Sequence, residues 1–430
     1  MTYWNRAMET MSRDELSALQ SERLTGAVNR AWERCAPYRA KLEAAGLQPG
    51  DIRGTDDLPK LPLTLKDDLR DGYPYGMFAV PMSEVVRLHA SSGTTGKQTV
   101  VGYTKGDIGI WNECMARCLT MAGATKDDIV QIAYGYGLFT GGLGGHYGGE
   151  AIGATTIPAS TGNTKRQLQM FLDFGSTVLL CTPSYAMHLG DAVRDAGIKD
   201  RLKLRIGIHG AEPWTEKMRD EIEERLGLRC YDIFGLSEVL GPGVSCECAE
   251  RNGLHVMEDH FLIEILDPET KQPVPDGTPG ELVFTCVTKE ALPLIRYNTR
   301  DICTVDRRPC ACGRSFARMG KLTGRTDDML IIRGVNVFPS QVENVLLGVE
   351  GAAPYYLLVV DRVNNLDTLE VRVEMADGFS FDEVRRVEAL ERRIAKEIMS
   401  ALGVTAKITM AAPGSIERSE GKAKRILDKR

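Results

Sequence analysis

Residues 91 to 104, SSGTTGKQTVVGYT, set four hydroxyl side chains, two glycines and a lysine ahead of a β-branched run. The backbone N–H groups and hydroxyls of Ser91, Ser92, Thr94 and Thr95, with Gly93 and Gly96 removing bulk, suit a phosphate, and Lys97 adds a point charge. The stretch is not a P-loop, which needs four residues between its glycines; Gly93 and Gly96 enclose only Thr94 and Thr95. Taken alone, it would equally suit a plain glycine turn between two strands. A second constellation is made of sulfur and imidazole. Cys246 and Cys248 form a Cys-x-Cys pair, His255 follows, and PCACGR supplies Cys310 and Cys312. These soft ligands suffice for one tetrahedral zinc of the Cys₃His type, with one sulfur to spare, and closed coordination by four protein ligands implies a structural role.

Several elements must position these groups. The 430 residues, 43% hydrophobic, can bury a large core and divide into more than one domain. Residues 11 to 47 read as helical and polar, with Leu16, Leu19, Leu24, Val28 and Trp32 forming an apolar stripe. Thr64 reads as the N-cap of a short helix starting near Lys66. From about 105 to 240, helical stretches alternate with short apolar strands (DIVQIAY, GATTIPA, STVLLCTP, KLRIGIHG), the pattern of a parallel sheet covered by helices. From 254 to 306 the texture turns to β, with Asp-Gly and Pro-Gly marking turns. Beyond about 325 lies a compact α+β unit with strands PYYLLVVD and LEVRVEM. Its helix, from about 382 to 401, places Val387, Leu390, Ile394 and Ile398 on one face.

Composition also excludes. A net charge of −6 leaves no basic footprint for nucleic acid. No apolar run approaches the roughly 20 residues of a membrane span, and the start, MTYWNRAMETMSRDEL, lacks the apolar region of a secretory signal. Eleven cysteines, an odd number set largely in apolar stretches, fit a reducing cytoplasm and metal binding better than disulfides.

Further motifs follow the first loop in order: GAEPW (210 to 214), YDIFGLSE (231 to 238), IRYNTRD (295 to 301), GRTDD (324 to 328) and SEGKAKR (419 to 425). Together they resemble the adenylate-forming superfamily of acyl-CoA synthetases. With AYGYGLFTGGLGGHYGGE, GLSEVLGPGV and GRTDDMLIIRGVNVFPSQVE, the chain resembles the phenylacetate-coenzyme A ligase family over essentially its whole length.

The resemblance implies an α/β fold. A large N-terminal domain (1–326) with mixed sheets, helices and a β-rich subregion would bind ATP and acid, and a small mobile α+β domain (327–430) would turn about Asp327. It implies that residues 91 to 97 hold the ATP phosphates and that Glu238 helps hold Mg²⁺. Gly210, Ala211, Glu212, Asp232, Ile233 and Phe234 would build the adenine slot. Asp301 would take both ribose hydroxyls, as two acceptor oxygens allow; from the residues alone, an ion pair with Arg296 or Arg300 is the competing role. Arg325 would contact ribose or phosphate, and Lys66, in TLKDDL, is a candidate phosphate contact. Lys422 would be the catalytic lysine that neutralises charge as a carboxylate attacks phosphorus, with Lys424 the alternative amine. Many superfamily members carry arginine two positions after the hinge-motif glycine, Gly334; Asn336 stands there, as in the branch resembled. Tyr134, Tyr136 and Phe139, beside Gly141 and Gly142, would wall a flat aryl slot, although the same residues would suit a glycine-rich helix start with core aromatics. Among the sulfur ligands, the resemblance favours Cys248, His255, Cys310 and Cys312, leaving Cys246 spare.

The expected activity is ligation of an aryl acid, phenylacetate or a close relative, to coenzyme A through an acyl-adenylate, with release of AMP and pyrophosphate. The alternative is an adenylating enzyme of the same fold that uses another acid, with a different thiol acceptor or none. The expected cofactors and partners are ATP, Mg²⁺, coenzyme A, structural Zn²⁺ and a second copy in a homodimer, with no nucleic acid and no membrane.

Overall fold

Ser12 opens the first long helix with a capping box: its hydroxyl accepts from the Glu15 N–H, and the Glu15 carboxylate accepts from the Ser12 N–H. The computed structural model, which describes residues 2–91, 98–326, 330–332, 335–363, 366–376, 384–417 and 425–429, splits the expected 11-to-47 helix in two. Arg13–Arg34 ends at Cys35, whose extended backbone and the proline that follows restart the chain as Ala36–Ala44. Leu16, Leu24 and Val28 are buried as the stripe requires, and Leu19 and Trp32 are half-buried.

Thr64 is not a helix cap. Leu65 stands at that position, its N–H donating to Asp68 Oδ2 (2.6 Å). Thr64 is fully buried and extended, bridged to Tyr297, and its hydroxyl meets the Ile295 carbonyl (2.5 Å) and Tyr38 Oη (3.0 Å). Backbone pairing with a neighbouring strand wins over side-chain capping here.

The alternating region forms the expected parallel sheet. In a nine-stranded sheet, Thr155–Ile157, Ile129–Ile132, Val178–Cys181, Ile206–Gly210 and Arg229–Leu236 run parallel in that spatial order. Gly241–Glu247 then pairs antiparallel with Arg229–Leu236, and Leu254–Val256, Arg318–Met319 and Val305–Asp306 extend that edge. The continuous burial of Val178–Cys181 and Ile206–Gly210 matches helices on both faces. A second sheet, Phe261–Leu266, Gly280–Cys286, Leu294–Cys303 and Gly324–Arg325, is antiparallel. The hairpin Arg87–Ser91 and Thr99–Tyr103 stands apart.

The C-terminal unit has its own core. Strands Ala406–Ala411, Leu366–Met375, Ala352–Val363 and Ile426–Asp428 make one sheet, and Leu390, Ile394 and Ile398 of helix Val384–Leu402 pack on it, with Val387 half-buried beside them. Leu347, at the end of helix Pro339–Leu347, packs instead among residues of helices Pro183–Ala196 and Glu216–Leu226.

Candidate active site

Open parallel sheets bind ligands outside the carboxyl ends of their strands, and that is where the candidate adenine residues stand. Gly210 ends its strand in register with Ile233 of the next. A β-carbon on Gly210 would fall 2.0 Å from the Ile233 carbonyl oxygen, so only glycine admits this approach. Ala211 follows with φ +73°. Glu212 accepts the Ser184 N–H (2.7 Å) at the start of helix Pro183–Ala196. Ile233 and Phe234 are buried in the main core, Phe234 stacking on Phe284. Asp232 is buried, and that burial, with the Glu247 charge adding to it, pushes its carboxyl up to about 7.

Glu238 sits in the turn between Arg229–Leu236 and Gly241–Glu247 and is 4% exposed, not the surface carboxylate that a turn position would allow. Its carboxylate meets Lys66 Nζ at 3.4 Å. Lys66 is the first residue of its helix, so both candidates belong to one pair.

Asp301 is paired as well, with Arg325. Strand register sets it opposite Arg325, whose Nη1 donates to Asp301 Oδ1 (3.2 Å). Arg296 is held by Glu264 at 2.9 and 3.0 Å.

The aryl-slot candidates have mixed placements. Tyr134 is buried, its hydroxyl reaching the Gly210 carbonyl at 3.4 Å. Tyr136 is half-buried and lies 3.3 Å from His146 Nδ1. Phe139 is exposed. Gly141 and Gly142 open helix Gly141–Ala151, in line with the helix-start reading. Several glycines of this motif serve packing rather than a slot: a β-carbon at Gly144 would meet Trp111 at 2.8 Å, and one at Gly148 would meet Met115 at 2.5 Å.

Two contacts join these segments. Thr140 Oγ1 lies 3.2 Å from Ser237 Oγ, tying the glycine-rich loop to the Glu238 turn. Ala90 N–H donates to the Leu138 carbonyl (3.0 Å), tying that loop to the hairpin that ends at Ser91. Ser92, Gly93, Thr94, Thr95, Gly96, Lys97, Asp327, Lys422 and Lys424 lie outside the described residues.

The sulfur constellation closes. One ligand atom each from Cys248, His255, Cys310 and Cys312 lies within 4.8 Å of every other, and all four residues are buried. Cys312 Sγ is 3.3 Å from His255 Nε2, and Cys248 Sγ is 3.9 Å from Cys310 Sγ. His255 Nδ1 lies 3.1 Å from the Phe316 carbonyl, which turns Nε2 toward the sulfurs. Cys246 is directed to the Cys118 carbonyl instead (3.9 Å).

Sequence reasoning missed Lys289. It is 2% exposed, and its Nζ donates to the Glu238 carbonyl at 2.9 Å. The available signal was a lysine embedded in the largely apolar FTCVTKEALPLI.

Comparison with known proteins agrees with this architecture. The model of AMP-binding enzymes matches residues 64–286, and the model of the AMP-binding enzyme C-terminal domain matches 334–430. A phenylacetate-coenzyme A ligase from Thermus thermophilus is 51% identical, with 98% of each chain covered. One from Escherichia coli is 49% identical over 98% of this chain and 97% of its own. A solved 2-hydroxyisobutyryl-CoA ligase in its postadenylation state, 28% identical, superposes with a TM-score of 0.93 over 100% of this chain and 92% of its own. In its thioesterification state with coenzyme A the same ligase, at 29% identity and with 99% and 92% covered, gives 0.74, so the arrangement here is nearer the postadenylation one.

Proposed function

Since the chain belongs to the phenylacetate-coenzyme A ligase family, we propose that it joins phenylacetate to coenzyme A at the expense of ATP, forming AMP and pyrophosphate. The observation that carries this reading is near-half identity to ligases of that name along almost the entire chain.

The chemistry has two halves. A carboxylate oxygen of the acid attacks the α-phosphorus of ATP and pyrophosphate leaves; because nucleophile and target are both anionic, catalysis is chiefly positioning and charge neutralisation. Residues 91 to 97, with Ser91, Ser92, Thr94, Thr95 and Lys97, hold the departing phosphates, and Lys66 assists from beside Glu238. Gly210, Ala211, Glu212, Asp232, Ile233 and Phe234 seat the adenine, and Asp301 accepts from the ribose hydroxyls with Arg325 next to it. Lys422 neutralises the charge that builds between carboxylate and α-phosphate. The small domain, residues 327–430, then turns about Asp327 against residues 1–326. The thiol sulfur of coenzyme A attacks the acyl carbon, and AMP leaves with the electron pair of the broken C–O bond. Tyr134, Tyr136 and Phe139, with Gly141 and Gly142, form the aryl slot.

Glu238 would hold Mg²⁺: its buried carboxylate offers the oxygen donors that a hard cation takes, and the cation would offset phosphate charge. Cys248, His255, Cys310 and Cys312 fit structural Zn²⁺ in donor type and mutual distance. The enzyme acts in the cytoplasm as a homodimer; all eleven cysteines are unbridged, as a reducing compartment requires, and no helix among the described residues is long and apolar enough to cross a membrane.

Product analysis tests the reading. With phenylacetate, Mg·ATP and coenzyme A, the expected products are phenylacetyl thioester and AMP in equal amounts, with medium-chain acids turned over far more slowly. Products of ADP and phosphate, or preference for an aliphatic acid, would contradict it.

A further inference from the structure

The turn that carries Glu238 is held from beneath by buried side chains. Tyr103 Oη lies within donating distance of the Ser237 carbonyl (3.2 Å) and the Leu240 carbonyl (3.0 Å). Trp111, stacked on Tyr103 at 5.2 Å, donates Nε1–H to the Pro242 carbonyl (2.9 Å). Lys289 Nζ donates to the carbonyl of Glu238 itself and lies 4.9 Å from the centroid of the Tyr103 ring. Three buried side chains thus serve four backbone carbonyls in the stretch from 237 to 242.

A buried ammonium is costly unless it finds partners. Within 4 Å no carboxylate among the described residues pairs with Lys289; the carbonyl and the ring face are what satisfy it. Its anchor is firm, because Asp107, fully buried, accepts the N–H groups of both Glu290 (2.7 Å) and Ala291 (3.0 Å). Burial holds the Lys289 pKa below the usual lysine range, with the charges of Asp107 and Glu238 opposing that shift.

We propose that Lys289 is a positioning residue: with Tyr103 it fixes the backbone of the 237-to-240 turn and so aims the Glu238 carboxylate at the divalent cation that accompanies ATP. This rests on the reading of Glu238 as a magnesium ligand. Lys289 works through the main chain and does not occupy the carboxylate, which faces Lys66 Nζ at 3.4 Å. Partners one layer behind a metal ligand typically change metal affinity or activity by about 10- to 100-fold when removed.

The test measures ATP binding to the full-length protein without acid, by calorimetry, once in excess Mg²⁺ and once in EDTA. The ratio of the two dissociation constants is the metal-dependent gain. Lys289→Met should cut that gain by about tenfold or more while leaving affinity in EDTA nearly unchanged, and Lys289→Arg should restore part of it. The double variant Glu238→Gln/Lys289→Met should match Glu238→Gln alone. A Lys289→Met protein that melts earlier yet keeps the full gain would make the residue merely structural and overturn the proposal. So would a double variant with a lower gain than Glu238→Gln alone. If Glu238→Gln itself retains the gain, the magnesium reading is what fails. Should Lys289→Met not fold, Tyr103→Phe, which keeps the ring but removes the hydroxyl from the Ser237 and Leu240 carbonyls, is read in the same way.

Discussion

Asp301 shows how far residue types can be read and where they stop. The carboxylate that ends IRYNTRD is preceded by two arginines in the same motif, and Arg296 and Arg300, five and one positions before it, are the near candidates by chain distance. The partner is Arg325, because an antiparallel register sets it directly across from Asp301, and register between distant strands leaves no local mark. Arg296 is meanwhile committed to Glu264. On the proposed reading, a bound ribose would place its hydroxyls on Asp301 beside Arg325. A hydrogen bond to a charged group contributes about 1.5–3 kcal/mol, so Asp301→Ala should raise the KM for ATP by about 10- to 100-fold. It should also erase discrimination against 2′-deoxy-ATP, measured as the ratio of the two KM values. Retained discrimination would leave Asp301 as a partner of Arg325 only.

At the scale of elements, periodicity carried the long regular segments. The parallel strands, the antiparallel pair Phe261–Leu266 and Gly280–Cys286, and the helix face Leu390, Ile394 and Ile398 follow from patterns a few residues long. What escaped depended on distant partners. Thr64 looks like a cap until strand Leu294–Cys303 lies beside it. Within the glycine-rich segment, Gly144 and Gly148 are pressed against Trp111 and Met115, packing that no local pattern marks. The sulfur cluster was legible in type, since Cys-x-Cys pairs and a histidine suggest zinc; the resemblance already left Cys246 spare, and the fold directs it to the Cys118 carbonyl. The cluster also ties elements together: Tyr3 Oη donates to the Cys312 carbonyl (2.9 Å), and Arg314 pairs with Glu9 (2.6 Å), both fixing the N-terminal segment to the loop of Cys310 and Cys312. Protein from zinc-replete medium should therefore carry about one zinc per chain by elemental analysis. Cys312→Ala should lose the ion and lower the Tm by several degrees. A zinc-free native protein of equal Tm would contradict the assignment.

For the whole molecule, the central question is how the small unit is held in the postadenylation-like arrangement. Leu347 is buried among helices Pro183–Ala196 and Glu216–Leu226, and Tyr355 Oη donates to Asp191 Oδ2 (3.2 Å). Behind this contact, Glu343 is buried beside Arg425 (3.5 Å) and Tyr356 Oη (3.4 Å). Burial raises its carboxyl to about 7, the Glu212 charge adds to that, and Arg425 opposes it. Because this value stands above the ordinary 4.5, folding favours the protonated acid. The stabilisation is complete below pH 4.5 and is lost as pH rises through about 7. Glu343→Gln removes the titration, so its stability relative to the parent should improve steadily across that window in denaturant titrations. A difference independent of pH would show that Glu343 does not titrate there.

All three scales meet in one step, the transfer of AMP to a carboxylate before any thiol arrives. Phenylacetate-dependent exchange of labelled pyrophosphate into ATP, run without coenzyme A, reads that step directly. Robust exchange by the parent protein, lost in Lys422→Ala while that variant still converts supplied phenylacetyl-adenylate and coenzyme A to thioester, is the expected result. Exchange that requires coenzyme A, or none at all in protein that makes the thioester, would mean the ligation runs without an acyl-adenylate.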